Sequence, residues 1–176
     1  MNQNVKRMVY GGLLIAIGVI LPQAFHIFGQ SAGQTFLPMH IPVILAGMLI
    51  GPLWGAGVAV IVPLLSSMIT GMPPVPMLYF MVIGLLVYAV VSGLLAKRNT
   101  NTYLNLAITI LCGRAVYGLS LVVAVQILSF APPFANMTSF LTGLATGLPG
   151  VVLQFVAIPL VMMALKKGGL VLVKAK

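Results

Sequence analysis

The sequence predicts an all-α integral membrane protein in which residues 1–176 form a single domain of six transmembrane helices, with both termini in the cytoplasm. The first observation behind this prediction is composition, since 61% of the 176 residues are hydrophobic and only 5% are charged. So few polar side chains cannot cover a water-soluble globule. The second is that apolar residues extend along the whole chain, unlike a soluble domain with a single signal peptide or anchor. The third is the position of the positive charges.

The six predicted spans are separated by segments rich in turn-forming residues. A membrane-crossing helix needs about 20 predominantly apolar residues. We place the spans near residues 7–25, 41–51, 53–71, 76–96, 103–129 and 139–165. Between them lie the segments PQAFHIFGQSAGQTFLPMHIP, GPLWG, TGMPPVP, KRNTNT and SFAPPFANMTS. The glycine-rich run GPLWGAG between the second and third spans is also compatible with a kink or a broken helix.

The basic residues determine the predicted topology. They form clusters before the first span, after the fourth and after the sixth: Lys6 and Arg7, then Lys97 and Arg98, then Lys166, Lys167, Lys174 and Lys176. Basic residues mark the cytoplasmic side of a membrane protein. Because an even number of spans separates each cluster from the next, all three clusters face the cytoplasm together. The first, third and fifth loops then lie on the outer side.

The charge composition excludes several kinds of chemistry. The chain has 9 Lys or Arg residues and no Asp or Glu. It therefore has no carboxylates for an acid–base pair, for a magnesium site or for an acidic proton relay. It also lacks the GxxxxGK[ST] phosphate-binding loop. We expect no enzymatic activity, and any uphill transport must take its energy from a partner protein.

Metal and cofactor sites are not expected either. Cys112 is the single cysteine, which excludes an intramolecular disulfide and a thiolate cluster. His26 and His40 supply two imidazoles without an acid or a second cysteine, whereas a structural zinc site uses about four ligands. We therefore interpret these histidines as hydrogen-bonding groups and predict no metal and no cofactor.

Gly12 and Ala16 lie one helical turn apart on the first span, in the run YGGLLIAIGV. A pair of small residues at this spacing allows another helix to approach closely. The pair fits packing within the bundle as well as contact with a partner helix, and the pattern alone leaves both open.

Arg114 is the one basic residue that the topology does not explain. It lies about 11 residues inside the fifth span, at a depth of about 16 Å. An arginine at mid-membrane costs at least about 2.5 kcal/mol, so it normally faces the bundle interior or a wet cavity and has a partner. The chain offers no acidic partner. The partners left open are neutral polar groups of the chain, an acid of another subunit or the anionic group of a ligand; snorkelling or capping of a kinked helix also remains open.

Polar residues predicted near Arg114 indicate a binding site. The predicted substrate-binding set is Arg114, Gln154, His40, Asn136, Tyr117 and Tyr88. Counted from the outer ends of their spans, Gln154 is as deep as Arg114, at about 22–24 Å. Tyr117 follows Arg114 on the same helix face, and Tyr88 has a comparable depth on the fourth span. The other two are placed over the cavity by outer loops. This set suits a small amphipathic molecule with one carboxylate.

The segment LPMHIPVILAGMLIGPLWGAGVAVIVPLLSSMITGMPP, with the spans that follow it, resembles the substrate-binding S component of energy-coupling factor (ECF) vitamin transporters. The resemblance covers essentially the whole chain, and LPMHIPV and PLLSS are among its most specific runs. It implies that the protein binds a vitamin from outside and docks on a transmembrane coupling subunit driven by two ABC-type ATPase subunits. By the same resemblance, Gly12 and Ala16 form the contact surface for the coupling subunit.

Among S components the sequence looks most like the pantothenate group, and the carboxylate of pantothenate gives Arg114 a role. The resemblance therefore implies pantothenate uptake at the plasma membrane, with membrane lipid and no nucleic acid among the partners. An S component for pyridoxine or hydroxymethylpyrimidine is the alternative. A small oligomeric membrane channel is an alternative of a different class, although we find no polar stripe repeated along one helix, as such a pore requires.

Overall fold

The computed structural model describes residues 2–27, 29–126 and 137–173, whose regular secondary structure consists of eight α-helices. They are α1 (Gln3–His26), α2 (Gln30–Phe36), α3 (His40–Ile50), α4 (Pro52–Thr70), α5 (Met77–Lys97), α6 (Thr102–Gln126), α7 (Met137–Thr146) and α8 (Leu148–Lys167). Six segments of the described chain are long and apolar enough to cross a membrane, and the second of them, Ala32–Ile50, includes most of α2 with α3. The predicted all-α membrane bundle is confirmed.

Two parts of the chain differ from the predicted spans. A short helix, α2, lies in the segment predicted to be the first outer loop, between Gly29 with φ of 108° and Leu37 with φ of 49°. The sixth predicted span, 139–165, is wrong as one helix, because the chain divides it into α7 and α8 at Gly147. Pro149, the second residue of α8, has no N–H to continue the hydrogen bonding of α7. The predicted end of the fifth span, 127–129, lies outside the described residues.

The shortest predicted span is the centre of the bundle. Helix α3 packs against α1, α4, α5 and α8, and every residue from Pro42 to Ile50 is buried. Glycines allow this close packing: an added Cβ at Gly55 would lie 2.8 Å from the Cα of Gly47, and one at Gly93 would lie 2.6 Å from the nitrogen of Pro52. A helix buried on all sides explains why this span carries almost no polar side chain.

The first helix has two different faces. Leu14 is buried in the core, and Gly18 packs so closely on α4 that a Cβ would lie 2.8 Å from the Val62 side chain. Gly12 and Ala16 are exposed on the other face, and a Cβ at Gly12 would meet nothing within 4 Å. The small-residue pair is therefore not used for packing between the described helices.

The basic clusters meet at one end of the bundle, which we call the basic end. It carries Lys6, Arg7, Lys97, Arg98, Lys166 and Lys167, at the start of α1 and the ends of α5 and α8. Lys174 and Lys176 of the third predicted cluster lie outside the described residues. The segment that follows α8 folds back across this end, and the amide of Leu172 donates to the carbonyl of Leu49 at 2.9 Å. Because Gly51 and Pro52 interrupt the chain there, this carbonyl lies at an end of α3 and needs a partner from elsewhere.

Candidate functional site

The opposite end of the bundle contains a cavity of about 600 Å³, which we call the cavity end. Ligand cavities in proteins typically measure about 300–1,000 Å³ and are mainly apolar with a few convergent polar groups. The polar residues that line this one are Gln34, His40, Ser66, Tyr88, Arg114, Tyr117, Thr138, Thr142 and Thr146. Methionines and prolines supply much of the remaining wall: Met39, Met72, Met77, Met81, Pro22, Pro38, Pro73 and Pro74.

Arg114 reaches this cavity from the middle of α6. Its Nη1 donates a hydrogen bond of 3.3 Å to the carbonyl of Leu144, near the end of α7. The last carbonyls of a helix have no partners within the helix and carry partial negative charge, so a guanidinium is well placed there. The sequence left open whether Arg114 caps a helix or faces a cavity, and the structure places it in both positions.

His40 and Tyr88 lie beside Arg114. The rings of His40 and Tyr88 meet edge to face, with 5.0 Å between their centroids. Both residues line the cavity together with Arg114. Nδ1 of His40 is buried and has no hydrogen-bond partner among the described residues. Three of the six predicted site residues therefore line one part of the cavity. The guanidinium of Arg114 has five N–H donors, and the bond to Leu144 uses one of them.

Tyr117 forms another part of the wall with α7. Its ring stacks on that of Phe140, with a centroid distance of 6.4 Å and an interplanar angle of 24°. Phe140 also lies over Gly118, where an added Cβ would be 2.8 Å from the Phe140 ring. The packing of Phe140 and the hydrogen bond to Leu144 hold α7 against α6.

The connection between α4 and α5 forms a further part of the cavity wall and is held by hydroxyl groups. Ser66 donates to the carbonyl of Met72 at 2.8 Å, and Ser67 donates to that of Pro73 at 2.9 Å. These bonds anchor the segment that presents Met72 and Pro73 to the cavity. This part of the cavity wall is therefore held in place by hydrogen bonds from α4.

Gln154 does not line the cavity, although it belongs to the predicted set. The depth count that placed it beside Arg114 assumed a continuous helix over 139–165. Because α8 begins at Leu148, Gln154 lies only about 9 Å along that helix. The residue is 1% exposed, and neither its Nε2 nor its Oε1 has a hydrogen-bond partner among the described residues.

Asn136, the sixth member of the predicted set, lies outside the described residues. Gly113 belongs to the cavity wall but was not predicted. It directly precedes Arg114 and faces the Tyr88 ring, so a side chain there would overlap that ring. A glycine next to a buried charge is the signal in the sequence that could have identified it.

The cavity, its half-buried guanidinium and the surrounding apolar helices define a membrane-embedded protein that binds a small molecule. The comparison with protein families agrees with this class: the family model "ECF transporter, substrate-specific component" matches residues 6–173. The chain belongs to this family. It is thus a multi-pass plasma membrane protein and the substrate-binding subunit of a transporter. Neither the comparison with curated proteins nor that with solved structures gave a match.

Proposed function

We propose that this S component captures pantothenate from outside the cell and delivers it to a coupling subunit powered by two ABC-type ATPase subunits. The observation that carries the choice of an anionic vitamin is Arg114, a cation facing the cavity in a chain without a single Asp or Glu. Its own chain supplies a carbonyl and a phenol as neighbours, but no negative charge.

A carboxylate is the ligand group that suits this guanidinium best. A guanidinium has five N–H donors in a planar fork, and one of them is used for Leu144. A carboxylate accepts two of the others in parallel, and such charge-assisted bonds are about twice as strong as neutral ones. Binding would therefore offset the cost of holding Arg114 away from water.

The remainder of the cavity suits the rest of pantothenate. This molecule joins its carboxylate through an amide to a branched aliphatic end with hydroxyl groups. The imidazole of His40 lines the cavity and can form a hydrogen bond with a hydroxyl or an amide of the ligand. Met77 and Met81 offer flexible apolar contacts for the branched end. The cavity thus combines one anionic subsite with an apolar wall.

Calorimetry on the purified protein tests this proposal. We expect the parent protein to bind pantothenate at least about tenfold more tightly than its alcohol analogue, which lacks the carboxylate. Equal affinity for the two compounds would contradict the carboxylate subsite. Binding of pyridoxine or hydroxymethylpyrimidine in place of pantothenate would identify one of those compounds as the substrate. Ligand-independent conductance in vesicles would favour a channel.

A further inference from the structure

The wall of the cavity contains a contact between a glycine and an aromatic ring that has no room for a side chain. On α6, Gly113 faces the ring of Tyr88 on α5. A Cβ at position 113 would lie 2.6 Å from Cδ2 and 2.7 Å from Cζ of that ring. Carbon atoms that are not bonded normally remain about 3.5–4.0 Å apart. The Tyr88 ring therefore rests directly on the backbone of α6.

The position of this ring matters because of what surrounds it. Tyr88 is 4% exposed, and its ring meets that of His40 edge to face. Arg114, the residue that follows Gly113 on α6, lines the cavity together with Tyr88. A side chain at position 113 would displace the ring, and because the ring is enclosed, His40 or Arg114 would have to move with it. Close-packed interiors transmit such a displacement.

We propose that Gly113 is a positioning residue for ligand recognition. Its missing side chain lets the Tyr88 ring lie between His40 and Arg114, so that the phenol holds the guanidinium in the orientation that receives the carboxylate. This inference rests on the proposed binding of pantothenate through Arg114. Gly113 itself need not touch the ligand, since its effect passes through Tyr88.

The main test is calorimetry of the Gly113→Ala protein with pantothenate and with the alcohol analogue. We expect pantothenate to bind about tenfold more weakly or worse, and the preference for the acid over the alcohol to shrink. The matched control is Gly11→Ala, a buried glycine of α1 where a Cβ would lie 3.6 Å from the Ile50 side chain, an ordinary contact. An unchanged preference in the Gly113→Ala protein would overturn the inference.

A double-mutant cycle shows whether the effect passes through Tyr88. In a Tyr88→Leu background the ring is absent, so Gly113→Ala should change pantothenate affinity by less than about threefold. The same loss in both backgrounds would overturn the inference. Tyr88→Phe gives a test that does not need the alanine variant to fold: the ring stays on Gly113 while the hydroxyl is lost. An acid preference that survives this change intact would also contradict the proposed positioning.

A measurement without ligand separates this inference from the proposed function. Thermal unfolding in detergent should show that Gly113→Ala lowers the Tm of the parent more than that of the Tyr88→Leu protein. If the parent does not bind pantothenate, the proposed function fails while this cycle still measures the contact between residues 113 and 88. If pantothenate binds and the thermal cycle shows no coupling, the positioning role alone fails.

Discussion

At the basic end, α3, α4 and α5 meet through glycines at van der Waals distance, whereas at the cavity end about 600 Å³ lies between the same helices and α6 and α7. The basic end also contains two hydrogen-bonded polar side chains: Asn105 donates to the carbonyl of Ser92, and Thr109 donates to the side chain of Asn105. At the cavity end, the Arg114 guanidinium lines the cavity and donates to the carbonyl of Leu144. The two ends therefore differ in packing: the helices are in close contact at the basic end, and the cavity end has room for a ligand.

The largest predicted effect is a loss of stability from a substitution at the basic end. A Cβ at Gly47 would overlap the hydroxyl of Ser92 and the backbone carbonyl of Ala89. Because a backbone atom cannot move aside as a side chain can, Gly47→Ala should cost more than the about 1–3 kcal/mol usual for overpacking. We expect the Tm in detergent to fall by at least about 10 °C. The control, Gly11→Ala, should change the Tm by only about 2 °C. Similar changes in Tm at both positions would contradict the claim that the basic end is packed too closely for a side chain at Gly47.

The next effect is expected at the cavity end and concerns binding instead of stability. Arg114→Gln should weaken pantothenate binding by about 10- to 100-fold, since a hydrogen bond to a charged group contributes about 1.5–3 kcal/mol. Without ligand, the variant should be no less stable than the parent, because loss of the half-buried charge offsets loss of the bond to Leu144.

Arg98→Gln is the matched control for that experiment, because it removes the same charge at the basic end. It should leave calorimetric affinity within about threefold. Equal losses in the two variants would mean that net charge, and not contact with the carboxylate, governs binding.

The sequence predicted the bundle well because the length of each apolar run, and the even number of spans between the basic clusters, are properties of whole spans. The structure also places Arg114, Tyr88 and Tyr117 in one cavity wall, and their depth and helix face could be counted from the sequence. His40 lines the same cavity, and the sequence placed it there only through an outer loop. The misplacement of Gln154 has a specific cause: α7 and α8 together read as one apolar run, and the break at Gly147 depends on local backbone geometry.

Contacts between particular residues of different helices could not be predicted from the spacing of residues along each helix. The contact of Gly113 with Tyr88 joins two helices, and nothing in the spacing of either helix determines which residues meet across the interface. The hydrogen bond from Leu172 to Leu49 likewise joins distant parts of the chain. Such pairings follow from three-dimensional packing alone.

A third prediction concerns the exposed face of α1 that carries Gly12 and Ala16, which lies outside both the close packing of the basic end and the cavity wall. Gly12→Leu should reduce vitamin uptake by cells about tenfold or more, because a bulky side chain prevents close approach of a helix of the coupling subunit. Pantothenate binding by the purified protein should stay within about threefold, since Gly12 is exposed and an added Cβ there would meet nothing within 4 Å. Uptake and binding are measured on the same variant.

Gly57→Leu is the control for the face of α1, because Gly57 is an exposed glycine of α4 that also has nothing within 4 Å of an added Cβ. It should leave uptake close to that of the parent. If Gly12→Leu reduced binding as much as uptake, its effect would lie inside the bundle and the docking role would be refuted.

The smallest effect is expected at Gln154, which lies on the inner face of α8 and outside both the cavity wall and the paired polar network. A buried amide without partners costs about 1–3 kcal/mol for each unsatisfied group, so the apolar and similarly shaped Gln154→Met should raise the Tm by a few degrees. Pantothenate affinity should stay within about threefold. Asn105→Leu is the contrasting control, because the buried amide of Asn105 is hydrogen-bonded and its loss should lower the Tm. A lower Tm together with weaker pantothenate binding in Gln154→Met would contradict this prediction. It would show that the Gln154 amide has a partner in the ligand-bound protein and that Gln154 belongs to the binding site.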